Sequence, residues 1–422
     1  MATVLDAGLA SQPLQEQRWP ARKEPELYHD LMSPAEVLAI RAEVRAFAER
    51  VVAPRARAIG DAPESVEHFP WDVFRAMGEA GLFRIPFPAA VGGRGLSHPA
   101  AATAVVIEEL SYYSSSVGAI YDVHCILAGH ALVQGSDYLQ KTYLSRLLEG
   151  SVVGAFATTE PDASTDLSVA AMVTDATKVD GGYRVSGHKR FITNAPVADF
   201  VVLLCRDGER MTELVVDIRQ PGVRVGRPDR KIGNNGQLTA DIYFDDAFVP
   251  DANLLGERGK GLRVALQTLT YGRIGIAAAG TGLAQSLFDH CVDRLESRKA
   301  FGKVLGQFQH WQFRMAERAT GIENARNLYL KAALRKDAGT AFPEPEAGMA
   351  KYYATELAGD FAREAVQIHG GYGFLRELSH DGSHAHVGEI YRDVKIAEIY
   401  EGTNEVQKWI IARQIFGKEV TG

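Results

Sequence analysis

The sequence predicts an α+β protein, mostly helical, in which one region of sheet lies between two regions of helix. Three observations predict this order. Apolar residues recur every three or four positions before residue 150, as they do along one face of a helix. From 151 to about 250, short runs rich in Val, Phe, Thr and Tyr alternate with Gly, Asp, Asn and Pro, which is typical of strands and turns. Helical periodicity then returns and lasts to the end of the chain.

The N-terminal region is predicted to be a helical domain over residues 33–150, preceded by an arm over residues 1–32. The arm carries scattered prolines and polar residues without periodicity. Ser33 and Pro34 suit the start of the first helix, because Ser accepts hydrogen bonds from free N–H groups and Pro has no N–H to satisfy. Further helices are predicted at 71–80, 100–113, 117–132 and 138–149.

The middle region, residues 151–258, is predicted to be a small antiparallel β-barrel or sandwich. Its strands are short, and turn residues separate them at nearly regular intervals, as in other small β-domains. The predicted strands are 152–159, 183–185, 191–193, 200–205 and 213–218, with a last one at Tyr243 and Phe244.

The C-terminal region, residues 259–422, is predicted to be a four-helix bundle. Small residues between Ala277 and Gly282 would let neighbouring helices approach closely, since the distance between helix axes depends on the side chains at the contact. The predicted helices are 262–298, 307–337, 344–369 and 403–416.

Composition and charge exclude several classes of protein. The 422 residues carry a formal net charge of −7, whereas a nucleic-acid-binding protein usually presents a basic face. The three cysteines are far apart without CxxC spacing, which argues against a disulfide framework and fits a reducing compartment. The sequence shows no apolar run of the roughly 20 residues that a membrane helix needs, and no secretory signal. We therefore expect a cytoplasmic protein without nucleic-acid or membrane partners.

Four sequence features resemble signatures of the acyl-CoA dehydrogenase family, in the family's order and spacing. The resemblance covers roughly residues 33–417, and it implies the arrangement of helical, sheet and helical domains predicted above. The segments read FATTEPDASTD at 156–166, KRFITN at 189–194, RKAFG at 298–302 with FQ at 308–309, and QIHGGYGF at 367–374 with YRDVKI and IYEGT between 391 and 403.

The resemblance places the catalytic base at Glu401, in the IYEGT segment. The α-proton of a thioester is a very weak acid, so the base must be a carboxylate whose pKa is raised by burial. A branch of the family places its base one residue before Arg273, but that position is Gly272 here and has no side chain. An ion pair inside the bundle is the alternative to a CoA contact for Arg273. The substrate contacts that the resemblance implies are Thr165, Arg273, Tyr400 and Gly402.

The resemblance also implies FAD, since a hydride leaving the β-carbon needs an acceptor. Thr158 and Thr159 would hydrogen-bond the pyrimidine end of the flavin. Phe191 would lie against the ring, and Thr193 would reach its N5 edge. The glycines at 370–371 would let backbone amides approach the pyrophosphate. The implied FAD positions are Phe156, Thr158, Thr159, Ser164, Thr165, Phe191, Thr193, Arg298, Phe301, Gln309, Gln367, Gly370, Gly371, Thr403 and Glu405.

Two segments depart from the family pattern. The family's GAGSD sequence reads DASTD here, so Ser164 adds a side chain where backbone usually meets the FAD pyrophosphate. The loop between Glu377 and Tyr391 is longer than usual. We expect this loop to be solvated and to bind no metal, because no second ligand cluster accompanies its His-x-His pair. The loop carries His380, Asp381, His384 and His386.

The predicted reaction is α,β-dehydrogenation of an acyl-CoA, within fatty acid metabolism, with electrons passed to an electron-transferring flavoprotein. Members of the family are usually homotetramers, dimers of dimers, and we expect the same here. Tyr121 and Asp122 align near the floor of the acyl pocket, where a bulky Tyr would favour short acyl chains. Three alternatives stay open: an oxidase or monooxygenase that uses O₂, a dehydrogenase acting on an acyl carrier protein, and a non-catalytic helical binding protein.

Overall fold

A computed structural model describes residues 18–28, 31–163 and 165–421, and its helices and sheet follow the predicted order. Most of the predicted arm, residues 1–17, lies outside the described residues. The part of the arm that is described packs on its own chain. The N–H of Lys23 donates to the carboxylate of Asp289 (3.1 Å) in the C-terminal region. The described part of the arm therefore packs against the C-terminal helical region.

The N-terminal region begins its main helix one residue later than expected. Pro34 holds the N-cap position, and its carbonyl accepts hydrogen bonds from the N–H groups of Val37 and Leu38. Ser33 therefore does not cap this helix. The α-helices are α1 (Glu24–Leu27), α2 (Ala35–Phe47), α3 (Ala56–Asp61), α4 (Trp71–Glu79), α5 (Pro99–Tyr113), α6 (Ser115–Tyr121), α7 (His130–Val133), α8 (Asp137–Leu139) and α9 (Ser145–Glu149).

One apolar stretch of helix lies in the middle of this region. It continues from α6 through a π-helical segment, Asp122–Gly129, into α7. By length and composition, Ser115–Val133 could cross a membrane, which the sequence analysis did not anticipate because polar residues interrupt the run. However, 89% of its apolar window is buried inside the protein. This burial is what the core helix of a folded domain shows.

The middle region is a single mixed sheet, with strand order β6-β7-β3-β2-β4-β5-β8 and β1 beside β4. The pairs of β1 with β4 and of β2 with β4 are parallel, and the other pairs are antiparallel as predicted. Parallel neighbours need a long connection, which the chain after β1 and the β2–β3 hairpin provide. The strands are β1 (Gly154–Ala157), β2 (Asp175–Val179), β3 (Gly182–Thr193), β4 (Phe200–Asp207), β5 (Arg210–Asp217), β6 (Val223–Val225), β7 (Thr239–Pro250) and β8 (Leu254–Leu255).

Both faces of the sheet are covered, which explains the continuous apolar run of β4. Phe200, Val202 and Leu204 join the core shared with the helices. Val201 and Leu203, which point to the opposite face, join a separate core within the sheet domain. Strand β3 is continuous where two strands were predicted, because bulges after Val185 and after Lys189 break its alternation without ending it.

The C-terminal region is a helical bundle around the 37-residue helix α10, which packs against both α5 and α12. Close approach at small residues is confirmed. A Cβ at Gly280 would lie 3.1 Å from the backbone of Ala354, and one at Gly282 would overlap the carbonyl oxygen of Glu108. The elements are α10 (Gly261–Ser297), β9 (Lys299–Ala300), β10 (Lys303–Val304), α11 (Gln309–Asp337), α12 (Glu346–His369), α13 (Gly371–Phe374), α14 (Val387–Asp393), α15 (Asn404–Phe416) and α16 (Lys418–Thr421).

Candidate active site

Glu401 lies in a tight turn that leads into α15. Its φ is +55° and that of Gly402 is +88°, so two consecutive residues have left-handed backbone. This conformation costs a residue with a Cβ on the order of 1–2 kcal/mol. Thr403 caps α15, since its hydroxyl accepts a hydrogen bond from the N–H of Val406 (3.4 Å). The turn directs the Glu401 side chain toward α10.

The carboxyl of Glu401 occupies a notch in α10 that glycine creates. A Cβ at Gly272 would overlap Oε2 of Glu401, so no other residue fits position 272 without moving this side chain. The sequence had shown only that Gly272 cannot itself be a base. One helical turn further on, a Cβ at Gly275 would overlap Oδ1 of Asp122. Residues three apart on a helix share a face, so the two carboxyls lie side by side along α10.

Asp122 is the buried acid that faces Glu401. It is 1% exposed, and neither carboxyl oxygen has a hydrogen-bond partner of good geometry among the described residues. Burial and the nearby charge of Glu401 raise the pKa of Asp122 well above its usual range. Burial also raises the pKa of Glu401, while a proton shared from Asp122 and the charges of Arg273 and Lys351 oppose this rise. The pair therefore holds a proton to higher pH than two exposed carboxyls would.

Tyr121 points away from this acid pair. Its hydroxyl donates a hydrogen bond to the carbonyl of Leu82 (2.9 Å), inside the N-terminal helices. The side chain that faces Glu401 is its neighbour Asp122, because consecutive residues of a helix point in different directions. The effect of Tyr121 on acyl-chain length stays a prediction, and the structure adds that Tyr121 does not face the acid pair.

Lys351, on α12, is fully buried beside the turn at Glu401. Its Nζ donates hydrogen bonds to the carbonyl of Gly402 (3.1 Å) and to Oδ1 of Asn404 (2.9 Å). Burial lowers the pKa of Lys351 to about 7, and the negative charge of Glu401 acts in the opposite direction. The sequence analysis missed this residue, although a lysine among the buried alanines of α12 is a signal for it.

Arg273 lies close to the same turn and forms a buried ion pair. Its Nη1 is 2.7 Å from Oε1 of Glu344, and both side chains are largely buried. A Cβ at Gly402 would lie 3.9 Å from Nη2 of Arg273. The structure thus shows the ion pair that was the alternative for Arg273. The guanidinium still lies near Gly402 and contributes positive charge beside Glu401.

A second group of predicted residues meets where β1 and β3 end. The N–H of Arg190 donates to the carbonyl of Thr159 (2.9 Å), which brings the residues after β1 against the end of β3. Phe191 has a φ of +60°, and its side chain is 65% exposed. The hydroxyl of Thr193 accepts a hydrogen bond from Gln237 (3.1 Å). Thr159 therefore lies against the end of β3, close to the exposed ring of Phe191, whereas Thr158 is buried.

A buried ion pair holds this second group together. Nζ of Lys189 lies 2.9 Å from Oε1 of Glu160 and donates to the carbonyl of Thr158 (3.0 Å). Glu160 also accepts hydrogen bonds from the N–H groups of Val173 (2.6 Å) and Thr174 (2.9 Å). The pair fixes the loop after β1. Both residues belong to the motifs, but no pattern along the chain indicates that they touch.

A third group of predicted residues lines a cavity of about 370 Å³ at the end of α12. Arg298 and the two glycines at 370–371 line it, together with Arg294 and Tyr372. A Cβ at either glycine would meet nothing within 4 Å, so the space beside the backbone is open. The N–H of Gly370 is already bonded to carbonyls of α12, which leaves Gly371 as the amide for a ligand.

Family models match three consecutive parts of the chain. The acyl-CoA dehydrogenase N-terminal domain matches residues 34–151, the middle domain residues 155–247, and the C-terminal domain residues 259–416. The chain belongs to the acyl-CoA dehydrogenase family. It is therefore an oxidoreductase of a family whose members depend on FAD.

Individual acyl-CoA dehydrogenases and related enzymes are similar over nearly their whole length. An acyl-CoA dehydrogenase of Bacillus subtilis is 36% identical over 388 residues, which is 90% of this chain and 98% of the relative. The caffeyl-CoA reductase-Etf complex subunit CarC of Acetobacterium woodii is 34% identical, over 90% of this chain and 98% of the relative. The structure of butyryl-CoA dehydrogenase from Megasphaera elsdenii has a TM-score of 0.83 at 32% identity and covers 91% of this chain and 98% of its own.

The residues present fit the cofactor of an acyl-CoA dehydrogenase. The cavity beside Arg298 combines two arginines with open space at 370–371, which suits a pyrophosphate. The exposed ring of Phe191 and the nearby threonines offer an aromatic face and hydrogen-bonding groups for a flavin. The basic cavity and the exposed aromatic ring are the two features of this chain that suit FAD.

The remaining predicted FAD positions do not all line these surfaces in a single chain. Phe156 is buried within β1, and Thr403 caps α15. Ser164 lies outside the described residues. Tyr400 is half-buried beside Glu401, and burial raises its pKa. The side chains of Thr165, Phe301, Gln309, Gln367 and Glu405 are exposed to solvent, with Phe301 96% exposed.

The loop between Glu377 and Tyr391 differs from the solvated loop that was expected. His386 is only 3% exposed, and its Nδ1 lies 3.2 Å from Oε2 of Glu389 in α14. His384 is half-buried. The expectation of a solvated loop is wrong for His386. Glu389 follows His386 by three residues, so α14 places the Glu389 carboxylate beside the imidazole.

Proposed function

We propose that this chain removes hydrogen from the α- and β-carbons of an acyl-CoA thioester, with Glu401 as the base that takes the α-proton. One observation carries the proposal. The Glu401 carboxyl is buried in the Gly272 notch at a strained backbone position, beside a second acid and two cations. Strain of this kind is kept where the surrounding structure holds a side chain for function.

The surroundings of Glu401 suit a base for a weak carbon acid. Burial raises the pKa of its carboxyl, so the ionised form is a stronger base than an exposed carboxylate. Arg273 and the partly charged Lys351 keep enough positive charge nearby for Glu401 to ionise. The backbone N–H of Glu401, next to Gly402, is the donor that we assign to the thioester oxygen, where negative charge develops.

We propose that the chain binds FAD, which when bound accepts a hydride from the β-carbon. Thr158, Thr159 and Thr193 would hydrogen-bond the flavin, and Phe191 would lie against its ring. Arg298 and Gly371 would hold the pyrophosphate. The support is the packing of Thr159 against the end of β3, the exposed ring of Phe191 and the basic cavity at the end of α12.

Substitution Glu401→Gln tests the base. Without a carboxylate at this position, we expect reduction of bound flavin by acyl-CoA under anaerobic conditions to slow by about 10²–10⁴-fold. Binding of the cofactor should persist, as judged by the visible spectrum. Glu356→Gln is the control, because Glu356 pairs with Lys408 on the surface. Full turnover by E401Q would show that another group is the base.

We also propose that an electron-transferring flavoprotein reoxidises the enzyme in the cytoplasm. The support is the similarity to a reductase subunit that is named for its complex with Etf. After reduction by substrate, the flavin should reoxidise quickly with electron-transferring flavoprotein and slowly in air. Rapid reoxidation by O₂ with product bound would favour an oxidase or monooxygenase instead.

We propose CoA as the carrier of the acyl group, with short chains as the first candidates because the butyryl-CoA dehydrogenase structure is so similar. A panel of one acyl group presented on CoA and on an acyl carrier protein tests this choice. Higher kcat/KM with the carrier protein would reverse it. Chain lengths from propionyl, the shortest acyl group with a β-carbon, upward on CoA then define the depth of the pocket.

A further inference from the structure

Three possible metal ligands converge where the long loop between Glu377 and Tyr391 joins α14. Ligand atoms of His384, His386 and Glu389 all lie within 4.8 Å of one another. His386 and Glu389 are buried, and His384 is half-buried. Nε2 of His384 is shielded from solvent and has no hydrogen-bond partner among the described residues. A buried polar atom without a partner is costly unless something unseen satisfies it.

The fold places these residues through contacts that do not involve the cluster itself. Arg57 of α3 fixes the loop, because its guanidinium donates to the carbonyl of Gly382 (2.8 Å) and to Oε2 of Glu377 (2.7 Å). Asp381 closes a turn in the same loop by accepting a hydrogen bond from the N–H of Ser383 (2.9 Å). The loop is thus held in shape before it reaches His384.

Glycine makes room for the carboxylate of the cluster. A Cβ at Gly60 would overlap Oε1 of Glu389, so Glu389 is seated against the bare backbone of α3. On the other side, Trp19 packs its ring against His386 (4.8 Å between centroids) and against His290 of α10 (5.5 Å). The cluster therefore lies between three helices and the described arm, shielded from most of the solvent.

We propose that His384, His386 and Glu389 form a binding site for a divalent transition-metal cation of the Zn²⁺ type. Two imidazoles and one carboxylate are a ligand set that Zn²⁺ uses when its fourth position is open to water. In a tetrahedral site, ligand atoms about 2.1 Å from one cation lie about 3.4 Å apart, so a pair now separated by 4.8 Å must close by about 1.4 Å. Rotation of the half-buried His384 side chain supplies such a movement.

The charges around the cluster are compatible with a cation. Arg57 is a fixed positive charge that acts on His384, and it is already paired with Glu377 (2.7 Å) and Asp61 (3.7 Å). Asp393 lies on the same helix as Glu389, but burial and the charge of Glu389 raise its pKa to about 7, so it adds little negative charge. His290 faces the cluster from α10, and its buried Nε2 also has no partner among the described residues.

A cation at this position would stabilise one wall of the cavity beside Arg298. Leu375 and Leu378, at the start of the same loop, line that cavity together with Gly371. Binding of the cation does not depend on the proposed reaction, because none of its ligands belongs to the group around Glu401. The test can therefore be read without any activity measurement.

Metal binding by the full-length chain tests the site. The purified protein is stripped with a chelator, dialysed, and titrated with Zn²⁺ in competition with a chromophoric chelator. We expect one equivalent bound per chain, and a higher Tm in the presence of Zn²⁺ because the folded state binds it. Titration with Co²⁺ should give the strong visible absorbance of a tetrahedral complex with nitrogen ligands.

Two histidines of the same loop give a matched comparison. His384→Ala should weaken Zn²⁺ binding by more than the roughly 10-fold that loss of an outer partner costs, and should abolish the rise in Tm. His380→Ala should change neither, because the His380 side chain is 73% exposed and lies beside Asp381. Should H384A unfold, His384→Asn provides the same deletion with less loss of volume. Absence of one-equivalent binding by the unmodified chain, or equal binding by the two variants, would overturn the proposal.

Discussion

At the residue scale, two glycines of α10 decide where the acids of the site lie. Helices rarely use glycine, since it costs roughly 1 kcal/mol relative to alanine in a helix interior. Gly272 and Gly275 are both buried, and each leaves space that a carboxyl occupies. The two glycines therefore make α10 less stable, but they let the carboxyls of Glu401 and Asp122 pack directly against the helix. Their arrangement leads to predictions for the base and for its notch.

The pH dependence of flavin reduction should report the raised pKa of Glu401. A carboxyl with a raised pKa is protonated at pH values where an ordinary Glu, with a pKa of about 4.3, is ionised. The rate should therefore fall as pH is lowered, with its midpoint above that ordinary value. Stopped-flow reduction over a pH series measures the midpoint.

Variants of Asp122 identify the group that sets this midpoint. A protonated Asp122 lowers the pKa of Glu401 by hydrogen bonding, so Asp122→Val should move the midpoint to higher pH. Asp122→Asn retains a donor and should leave it nearly unchanged. A move to lower pH in D122V would mean that Asp122 is ionised in the free enzyme and acts on Glu401 as a like charge.

Gly272→Ala should damage the site without damaging the helix. The substitution favours the helix by roughly 1 kcal/mol, but its Cβ would overlap Oε2 of Glu401. Displacement of a reacting group by about 1 Å costs about 10²-fold in rate, so kcat should fall by at least that factor while Tm stays level or rises. Gly321→Ala is the control, since its Cβ would meet only the end of the Leu357 side chain (2.9 Å). Equal activities of the two variants would contradict the notch.

At the element scale, a buried network of charges joins helices α2, α5 and α11. Glu108 of α5 accepts hydrogen bonds from Nη2 of Arg326 (2.7 Å) and from the hydroxyl of Tyr329 in α11. Arg41 of α2 lies 3.1 Å from the same carboxylate. The charges of Arg326 and Arg41 lower the pKa of Glu108, although burial opposes this. These contacts orient the helices that support the site.

Glu108→Gln should destabilise the protein by about 3–5 kcal/mol, because it leaves the buried Arg326 without its close counter-charge, although Arg41 keeps Glu109 (3.1 Å). Glu323→Gln is the matched control. Glu323 lies 4.0 Å from the same Arg326 but is partly exposed, so its loss should cost less than about 1 kcal/mol. Denaturant unfolding near neutral pH measures both values.

The pH dependence of stability gives a further check on Glu108. Since the pKa of Glu108 is lowered in the folded state, its stabilisation is complete above the ordinary Glu pKa and is lost as pH falls. The difference in stability between E108Q and the unmodified chain should therefore shrink at strongly acidic pH. A constant difference would mean that the effect of E108Q comes from packing.

At the scale of the whole molecule, the chain leaves several large apolar side chains on its surface. Phe301 is 96% exposed, and Phe374, Phe313 and Phe416 are also largely exposed. Exposed apolar side chains mark an interface where they form one contiguous patch. Phe301 belongs to a predicted FAD segment, so a partner subunit near it would also cover the exposed cofactor positions.

We expect a homotetramer, with a mass in solution four times that of the chain. Sedimentation equilibrium over a range of protein concentrations measures this mass. Phe301→Ser should shift the distribution toward smaller species and weaken retention of FAD in parallel, because one surface serves both. A monomeric protein that retains FAD would contradict the assembly and the shared surface.

The sequence by itself determined the order of the domains and the family, and it supplied the position that we propose for the base. Helical periodicity, turn residues and short motifs are local, so they can be recognised without knowing which segments meet. The bounds of α10, α11, α12 and α15 lie within a few residues of those predicted. The exclusion of position 272 as the base likewise needed only the identity of one residue, Gly272.

Only the tertiary structure decided what surrounds the base. Asp122, Lys351 and Glu401 come from three distant segments, and their meeting depends on how α10 packs against its neighbours. The same holds for Glu389, which turned an apparently solvated His-x-His pair into a buried cluster. The pKa of a carboxyl depends on burial and on nearby charges. Both are properties of packing, so no pattern along the chain could supply them.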